Sequence, residues 1–515
     1  VPYISTTGTL FGDQANRIQE ILNKNIEVFL PSLDPAWRDT TVSSQGVGPA
    51  NLIGKDMKIL KIYMGSMAGI FEGGANSNFT MLGDTVTDVA AKFSKQSLTQ
   101  TWPDPTDGAL AKPYRLGVQM KAMVSNLLVT MGEMQAEATP AFIGEVIAPK
   151  LEGHARLIAH TLCNYWYMQD NTNFTLGAIS SIADLAFSTN TTFNFIPSNL
   201  NIDRYAVGMR IDIWTSAGST RRNEDGSGNR VSAYVTAVDE ILNRVYVTVL
   251  GLDLTGAGVA VTNGDTLRFA NSAASEPAGF GIAGINSWLK YAAGTGDSAF
   301  LLGPDRDSNN QINVNTHPEF RSFYKSGVGT LTEHKLRQYL RGFHRAKEKY
   351  GQYIDCLIAS DGVWLNYEAQ KIGQYQLDRT SRLSSLTSEG SQEGFKFTFD
   401  GRTYTGYTSN YIESGTVYGL RKGGQNWKKY VPPSPKGTQK FDKAESFIPF
   451  EFVAPALGYS SIKVPITKPQ TSTGIGLLTE GAQMPGMLRM QLVPDQPAGM
   501  RLDGVTEDRQ YGATS

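Results

Sequence analysis

The chain has 515 residues, 40% of them hydrophobic, enough for large cores and too many for a disordered protein. Its 47 basic and 48 acidic residues leave a net charge of −1, which argues against a protein whose main task is to neutralise nucleic-acid phosphates. No apolar run is long enough to span a membrane, Val1-Pro2-Tyr3 opens no signal peptide, and the only two cysteines, Cys163 and Cys356, read as buried free thiols.

The domain-size prior gives roughly three structural units. Residues 13–30 are expected to form a first helix, with Ile18, Ile21, Leu22, Ile26 and Phe29 in register and Pro31 as its stop. Residues 41–110 are rich in Gly, Thr and Ser, with short apolar runs such as Ile59, Leu60, Ile62 and Tyr63. They are too patterned for a linker and too thin to own a core. A period-two run follows: Tyr114, Leu116, Val118, Met120, Ala122 and Val124 alternate with Arg115, Gly117, Gln119, Lys121 and Met123. As one strand it would span ~35 Å. Eight of the 14 methionines lie between Met57 and Met134, which suits a surface that adapts to a partner as well as it suits an ordinary core.

Thr139-Pro140 is a helix start, with Thr as cap and Pro in the first turn. Ile143, Ile147, Leu151, His154, Ile158, Thr161, Tyr165 and Met168 carry one face to residue 169, about 45 Å, with a kink expected at Pro149. Residues 195–272 read as a separate β unit with strands near 207–214, 231–238, 244–250 and 267–269, and a polar loop tip at 221–229. Between Thr330 and Leu420 three strong signals follow one another. Thr332 caps a basic amphipathic helix to about Tyr350, with Leu336, Tyr339, Phe343, Ala346 and Tyr350 on one face and Lys335, Arg337, Arg341, Arg345 and Lys349 on the rest. Residues 353–359 form a buried strand, and Ser360 or Asp361 caps a helix bearing Val363, Trp364 and Leu365. Phe395, Phe397 and Phe399 make an aromatic strand face, and Asp400-Gly401 supplies a two-residue hairpin turn before Tyr404–Tyr407. Residues 447–453 and 461–466 are late strands, and from Lys468 the chain reads as an extended arm.

Motifs for chemistry are weak. Gly279, Gly281 and Gly284 match the spacing of a dinucleotide loop, but residues 272–278 before them are a polar loop rather than a strand. Asp305, Asp307 and Asn309 resemble the start of a calcium loop, yet Asn310 replaces the required glycine and Thr316 the bidentate Glu. The five histidines, His154, His160, His317, His334 and His344, have no metal spacing. No catalytic, cofactor or metal residue is assigned. Carboxylates meeting from distant positions stay open. The basic helix face reads as solvated in preference to DNA-binding.

The order of elements (extended loop, long helix after Thr139-Pro140, basic helix, buried strand, capped Trp364 helix, aromatic hairpin) resembles the major capsid proteins of tailed bacteriophages with the Hong Kong 97-like fold. Residues 281–361 carry much of the likeness, including His317-Pro318-Glu319-Phe320 and Leu331-Thr332. The resemblance implies an α+β fold divided as follows. Residues 1–40 are an N-terminal arm and 41–125 the extended loop, or E-loop. Residues 126–194 are peripheral domain with the spine helix, 195–275 an inserted β domain, and 276–365 peripheral domain again. Residues 366–440 are the axial domain, 441–467 peripheral strands and 468–515 a C-terminal extension without counterpart. It implies a coat protein that self-assembles into hexamers and pentamers of an icosahedral head in the host cytoplasm. Scaffolding and portal proteins, a cement protein, and weakly held double-stranded DNA are the implied partners. No local signature places the covalent crosslink that some relatives carry.

The physical logic is that the extended loop cannot bury its strand faces within its own subunit, so Ile59, Ile62, Tyr63, Tyr114, Leu116, Val118 and Met120 are expected to contact a sister copy. Two other functions remain in play: a carboxylate-pair hydrolase on a β-rich frame, and a host-binding adhesin that uses the β insert.

Overall fold

The computed structural model describes residues 148–167, 175–198, 202–218, 220–256, 259–269, 284–291, 312–315, 317–375, 395–421 and 498–508, several isolated strands, and a few positions between 25 and 34. The architecture is α+β, with a closed β-barrel, a six-stranded sheet between helices, and a further sheet and ribbon.

Early in the chain, Phe29 and Leu33 are helical and pack against the main core. Helical structure is therefore present at Leu33, past the stop expected at Pro31. Strands β1 (Met57–Met64) and β2 (Lys112–Gln119) form a two-stranded antiparallel ribbon. Strand β3 (Lys121–Thr130) follows almost at once. The single long strand expected across 114–124 is thus two strands with different partners.

Helix α1 (Ala148–Tyr167) buries Leu151, Ala155, Ile158, Ala159, Leu162, Cys163 and Trp166. That stripe is rotated from the expected one: His154 and Thr161 are only half-buried, and the alanines supply the close approach. Pro149 is the second residue of the described helix. The expected start at Thr139-Pro140 lies outside the described residues.

Six strands then close a barrel in the order β4-β5-β8-β7-β6-β9: β4 (Thr175–Phe187), β5 (Asn190–Pro197), β6 (Arg210–Trp214), β7 (Ala233–Asp239), β8 (Arg244–Leu250) and β9 (Thr266–Phe269). Closure removes every edge. The β unit thus begins near 175 rather than 195. Ile179, Phe193, Phe195, Ile211, Ile213, Val235, Val245, Val247, Val249 and Leu267 fill its interior with period-two alternation. The loop expected as a polar tip is partly core: Arg221 and Asn223 are buried, with Asn223 donating to Asp212 Oδ1 (3.2 Å) and to the Val231 carbonyl (2.7 Å).

A helical turn α2 (Ile285–Trp288) comes next, then β10 (Leu301–Leu302) paired with β11 (Ile312–Asn313), and β12 (Phe323–Lys325). Gly284 at the start of α2 has a packing reason rather than a phosphate one. A Cβ there would lie 2.2 Å from the Tyr165 carbonyl oxygen and 2.4 Å from that of Trp166. Helix α3 (Glu333–Lys347) opens as expected, with the Thr332 hydroxyl accepting from the Lys335 N–H at 3.3 Å. It passes into a 3-10 turn that Gly351 ends at φ 70°. Its buried face is Leu336, Leu340, Phe343, His344 and Lys347, whereas Ala346 is exposed, so the expected face is off by about one position. Strand β13 (Cys356–Ala359) is wholly buried and leads into α4 (Asp361–Tyr375). Strands β14 (Phe395–Phe399) and β15 (Arg402–Thr408) make the expected hairpin, with Asp400 and Gly401 both at positive φ, and β16 (Val417–Leu420) follows.

The C-terminal part departs from expectation. Strand β20 (Thr479–Val493) is the centre of a five-stranded sheet, pairing with β3 on one side and with β17 (Lys428–Tyr430), β18 (Phe450–Phe452) and β19 (Lys463–Ile466). Strand β21 (Met500–Leu502) is an interior strand of the main sheet, whose order is β12-β21-β16-β13-β15-β14. The tail is therefore no free arm. Likewise β13 lies between β15 and β16, so the fold has no break at residue 365. One face of the sheet (Leu357, Ala359, Tyr404, Val417, Met500, Leu502) packs on α3 and α4. The other (Cys356, Ile358, Tyr407, Tyr418, Leu420) shares a core with α1 and the barrel. Both cysteines are buried, and neither forms a disulfide.

Candidate assembly surface

The ribbon's register decides which positions share a face. Opposed pairs are Lys58↔Val118, Leu60↔Leu116, Ile62↔Tyr114 and Met64↔Lys112, alternating with Met57↔Gln119, Ile59↔Gly117, Lys61↔Arg115 and Tyr63↔Pro113. Directly opposed residues of an antiparallel pair lie on the same side, and successive residues on opposite sides. Positions 58, 60, 62, 64, 112, 114, 116 and 118 therefore share one face, apolar along its middle at 60, 62, 64, 114, 116 and 118 and flanked by Lys58 at one end and Lys112 at the other. The other face carries Lys61 and Arg115 at its middle. Of the seven expected contact residues, Ile62, Tyr114, Leu116 and Val118 fall on the apolar face, and Ile59 and Tyr63 on the mixed one. Met120 lies outside the described residues. Leu60 and Met64 share the face of Ile62; apolar residues stand on both parities of 58–64, so only the register separates its faces.

Among the described residues, neither ribbon strand pairs with a third. A two-stranded ribbon alone is marginal in water, and an apolar face adds to the deficit. The ribbon is held at its base. Strand β3 begins two residues after β2 ends and is locked to β20 over ten pairs, from Thr130↔Gly481 to Lys121↔Met490.

The body behind it is tied together by buried polar contacts. Arg501 on β21 donates to Asp503 Oδ1 (2.8 Å), Asn286 Oδ1 (2.9 Å) and Glu413 Oε2 (3.1 Å). Glu507 accepts from the Gly415 N–H and the Ser414 hydroxyl, both at 2.7 Å, and from the Ser360 hydroxyl. The barrel is joined to the sheet through Arg204, whose guanidinium donates to the Tyr411 carbonyl at 2.7 and 2.9 Å. His160 Nε2 stands 3.0 Å from the Arg204 carbonyl and so carries the proton, leaving Nδ1 to accept from the Tyr411 hydroxyl at 3.0 Å. Burial pushes the His160 pKa down, consistent with that neutral tautomer. The N-terminal segment is pinned here too: Asp34 is fully buried and accepts from the Ser409 hydroxyl at 3.3 Å.

Four cations of the basic helix α3 are engaged within the subunit. The Lys335 ammonium donates to the Val328 and Thr330 carbonyls, and Lys347 to those of Pro318 and Glu319. Arg337 and Arg341 lie over the Phe399 ring at 5.1 and 5.0 Å. Arg402 donates to His344 Nδ1 (3.0 Å), so His344 donates through Nε2 to Tyr404 (2.8 Å). Burial, with Arg402 beside it, lowers the His344 pKa, and burial lifts Tyr404 to about 12.

Carboxylates in the barrel are likewise engaged. Asp212 meets Arg230 at 2.8 Å and Asp265 meets Arg222 at 2.5 Å. Among the described residues no group of three or more His, Cys, Asp or Glu is placed to hold a metal ion, and no helix is long and apolar enough to cross a membrane. The residues of the calcium-like stretch, 305–310, lie outside the described set.

No family model and no curated protein matches the chain. Among solved structures it is similar to the capsid asymmetric unit of cyanophage A-1(L), at 11% identity, covering 92% of this chain and 93% of that one, with a TM-score of 0.35. It is also similar to the holo-SrpI encapsulin complex of Synechococcus elongatus, at 14% identity, covering 38% of this chain and 55% of that one, with a TM-score of 0.19. These TM-scores are too low to establish a shared fold.

Proposed function

We propose that this chain is the shell-forming subunit of a virion: a major capsid protein of Hong Kong 97-like fold, with a β-barrel inserted after the spine helix α1. The observation that carries the reading is the β1–β2 ribbon, one face of which sets six apolar positions between Lys58 and Lys112 at its ends, and which has no third strand among the described residues. A sister copy supplies the missing cover, and a closed symmetric shell repeats that contact at every subunit. Burying a Leu, Ile, Val or Met side chain contributes about 1.5–3 kcal/mol, so even partial cover of this face yields on the order of 10 kcal/mol per contact. In this reading six of the seven expected residues divide into an apolar contact face (Ile62, Tyr114, Leu116, Val118), which Leu60 and Met64 join, and a mixed outer face (Ile59, Tyr63).

The finer assignments follow the same reading. Copies assemble as hexamers and pentamers of an icosahedral head around double-stranded DNA, with scaffolding and portal proteins as partners and a cement protein as an optional one. Particle mass and negative-stain imaging of the purified chain test it. Closed shells or hexameric plates support it. Discrete monomers at high protein concentration would point to the hydrolase alternative, and elongated trimers to the adhesin.

A further inference from the structure

The barrel carries a built hollow on its outer face that the assembly reading does not use. Its floor is the central strand pair, with Thr192 and Asn194 of β5 opposite Thr248 and Tyr246 of β8. Its two rims are β-bulges on the flanking strands. On β4 the register slips between Ala183 and Ala186, and on β7 between Val235 and Ala237. Each bulge re-aims a side chain. Strict alternation would put Asp184 opposite Phe193 and into the core. Instead Asp184 takes φ 53°, lies exposed, and leaves Leu185 to pack against the core. On β7 the slip makes both Thr236 and Ala237 exposed, beside Tyr246.

The result is an open hollow of about 260 Å³ lined by Asp184, Thr192, Asn194, Thr236, Tyr246 and Thr248 over Phe193 and Val247. Its polar groups are pre-oriented. Asp184 Oδ2 accepts from Asn194 Nδ2 at 2.5 Å, and Asn194 Oδ1 accepts from Arg244 at 3.2 Å. Asn194 is itself 2% exposed, so its rotamer is held by the barrel.

We propose that this hollow binds one ring of a neutral saccharide. A carboxylate, three threonine hydroxyls and a tyrosine match a ligand that is hydroxyl-rich on its edge and C–H-rich on its face. The Asp184 carboxylate disfavours phosphate and uronate groups beside it, and Arg244 turns one N–H of its guanidinium to Asn194. A closed barrel offers no strand edge to a peptide. The volume falls just under the roughly 300–1,000 Å³ usual for small-molecule pockets, which fits a single ring of a longer glycan.

Saturation-transfer NMR on the full chain tests this, with the methyl glycosides of glucose, galactose, mannose and N-acetylglucosamine as probes and glucuronic acid as the anionic comparison. The proposal expects transfer to at least one neutral glycoside. It expects that signal to weaken about 10-fold in Asp184→Gly and in Tyr246→Ala, since losing one polar or stacking contact is enough for that. Asp184→Gly keeps the backbone conformation open, and Asp184→Asn, which tolerates the same φ, serves as a second variant that removes the charge. Transfer to none of the neutral probes, transfer only to glucuronic acid, or a signal unchanged in all three variants would overturn it.

Discussion

Leu116→Ala is the sharpest perturbation of the ribbon. The register sets Leu116 opposite Leu60 at the middle of the apolar face. Covered by a neighbouring copy, a leucine truncated there loses about 2–3 kcal/mol of contact. At 1.4 kcal/mol per tenfold, each contact weakens roughly 30- to 150-fold, and a closed shell applies that loss at every subunit. The concentration at which particles appear, followed by light scattering, should rise by at least that order. Ile59→Ala is the control. It faces the other side of the ribbon, opposite Gly117 and next to the Lys61–Arg115 pair, and should shift the threshold only a few-fold. The dissociated chain should melt unchanged in both variants, whereas Leu340→Ala, in the core under α3, should lower the melting temperature markedly. Equal threshold shifts for Leu116→Ala and Ile59→Ala, or a melting loss for Leu116→Ala comparable with Leu340→Ala, would refute the reasoning.

Other predictions concern the body. Arg501→Met should cost about 3 kcal/mol in urea unfolding, because it strands Glu413 and Asp503 near a buried strand. The Glu413→Gln change should cost clearly less. Gly284→Ala should destabilise by at least 2–3 kcal/mol by chemical denaturation, since its Cβ meets two backbone carbonyls of α1 that cannot move as a side chain would. Burial lowers the folded-state pKa of His154, His160 and His344 below the ordinary 6.5. The unfolded chain then binds more protons below that value, so stability is full above pH 6.5 and falls as the pH drops beneath it. Urea midpoints at pH 7.5 and 5.5 check the sign, which would be contradicted by equal or higher stability at the acid pH.

Local signals were legible in the sequence wherever a short segment determines its own geometry. The Thr332 cap, the Asp400-Gly401 turn and the buried 356–359 strand need only their neighbours. Non-local pairing was not legible. Met500-Arg501-Leu502 is three residues long and carries a guanidinium, yet becomes an interior strand because Glu413, Asp503 and Asn286 meet the charge from elsewhere. The first barrel strand was obscured by the bulge at Asp184, which breaks its alternation. The face of α3 was misplaced because His344 and Lys347 are buried polar residues satisfied by Tyr404 and by the Pro318 and Glu319 carbonyls. On the ribbon, alternation along 114–118 identified the apolar side of β2, but the side of β1 depended on a register that no local pattern encodes.

Hydrogen exchange at 57–64 and 112–119, compared between assembled particles and dissociated chain, tests the central claim most directly. Slow exchange in particles and fast exchange in the dissociated chain, with the barrel and six-stranded sheet protected in both, is the predicted outcome. Equal protection of the ribbon in the two states would mean that the subunit covers its own apolar face, and would contradict the account.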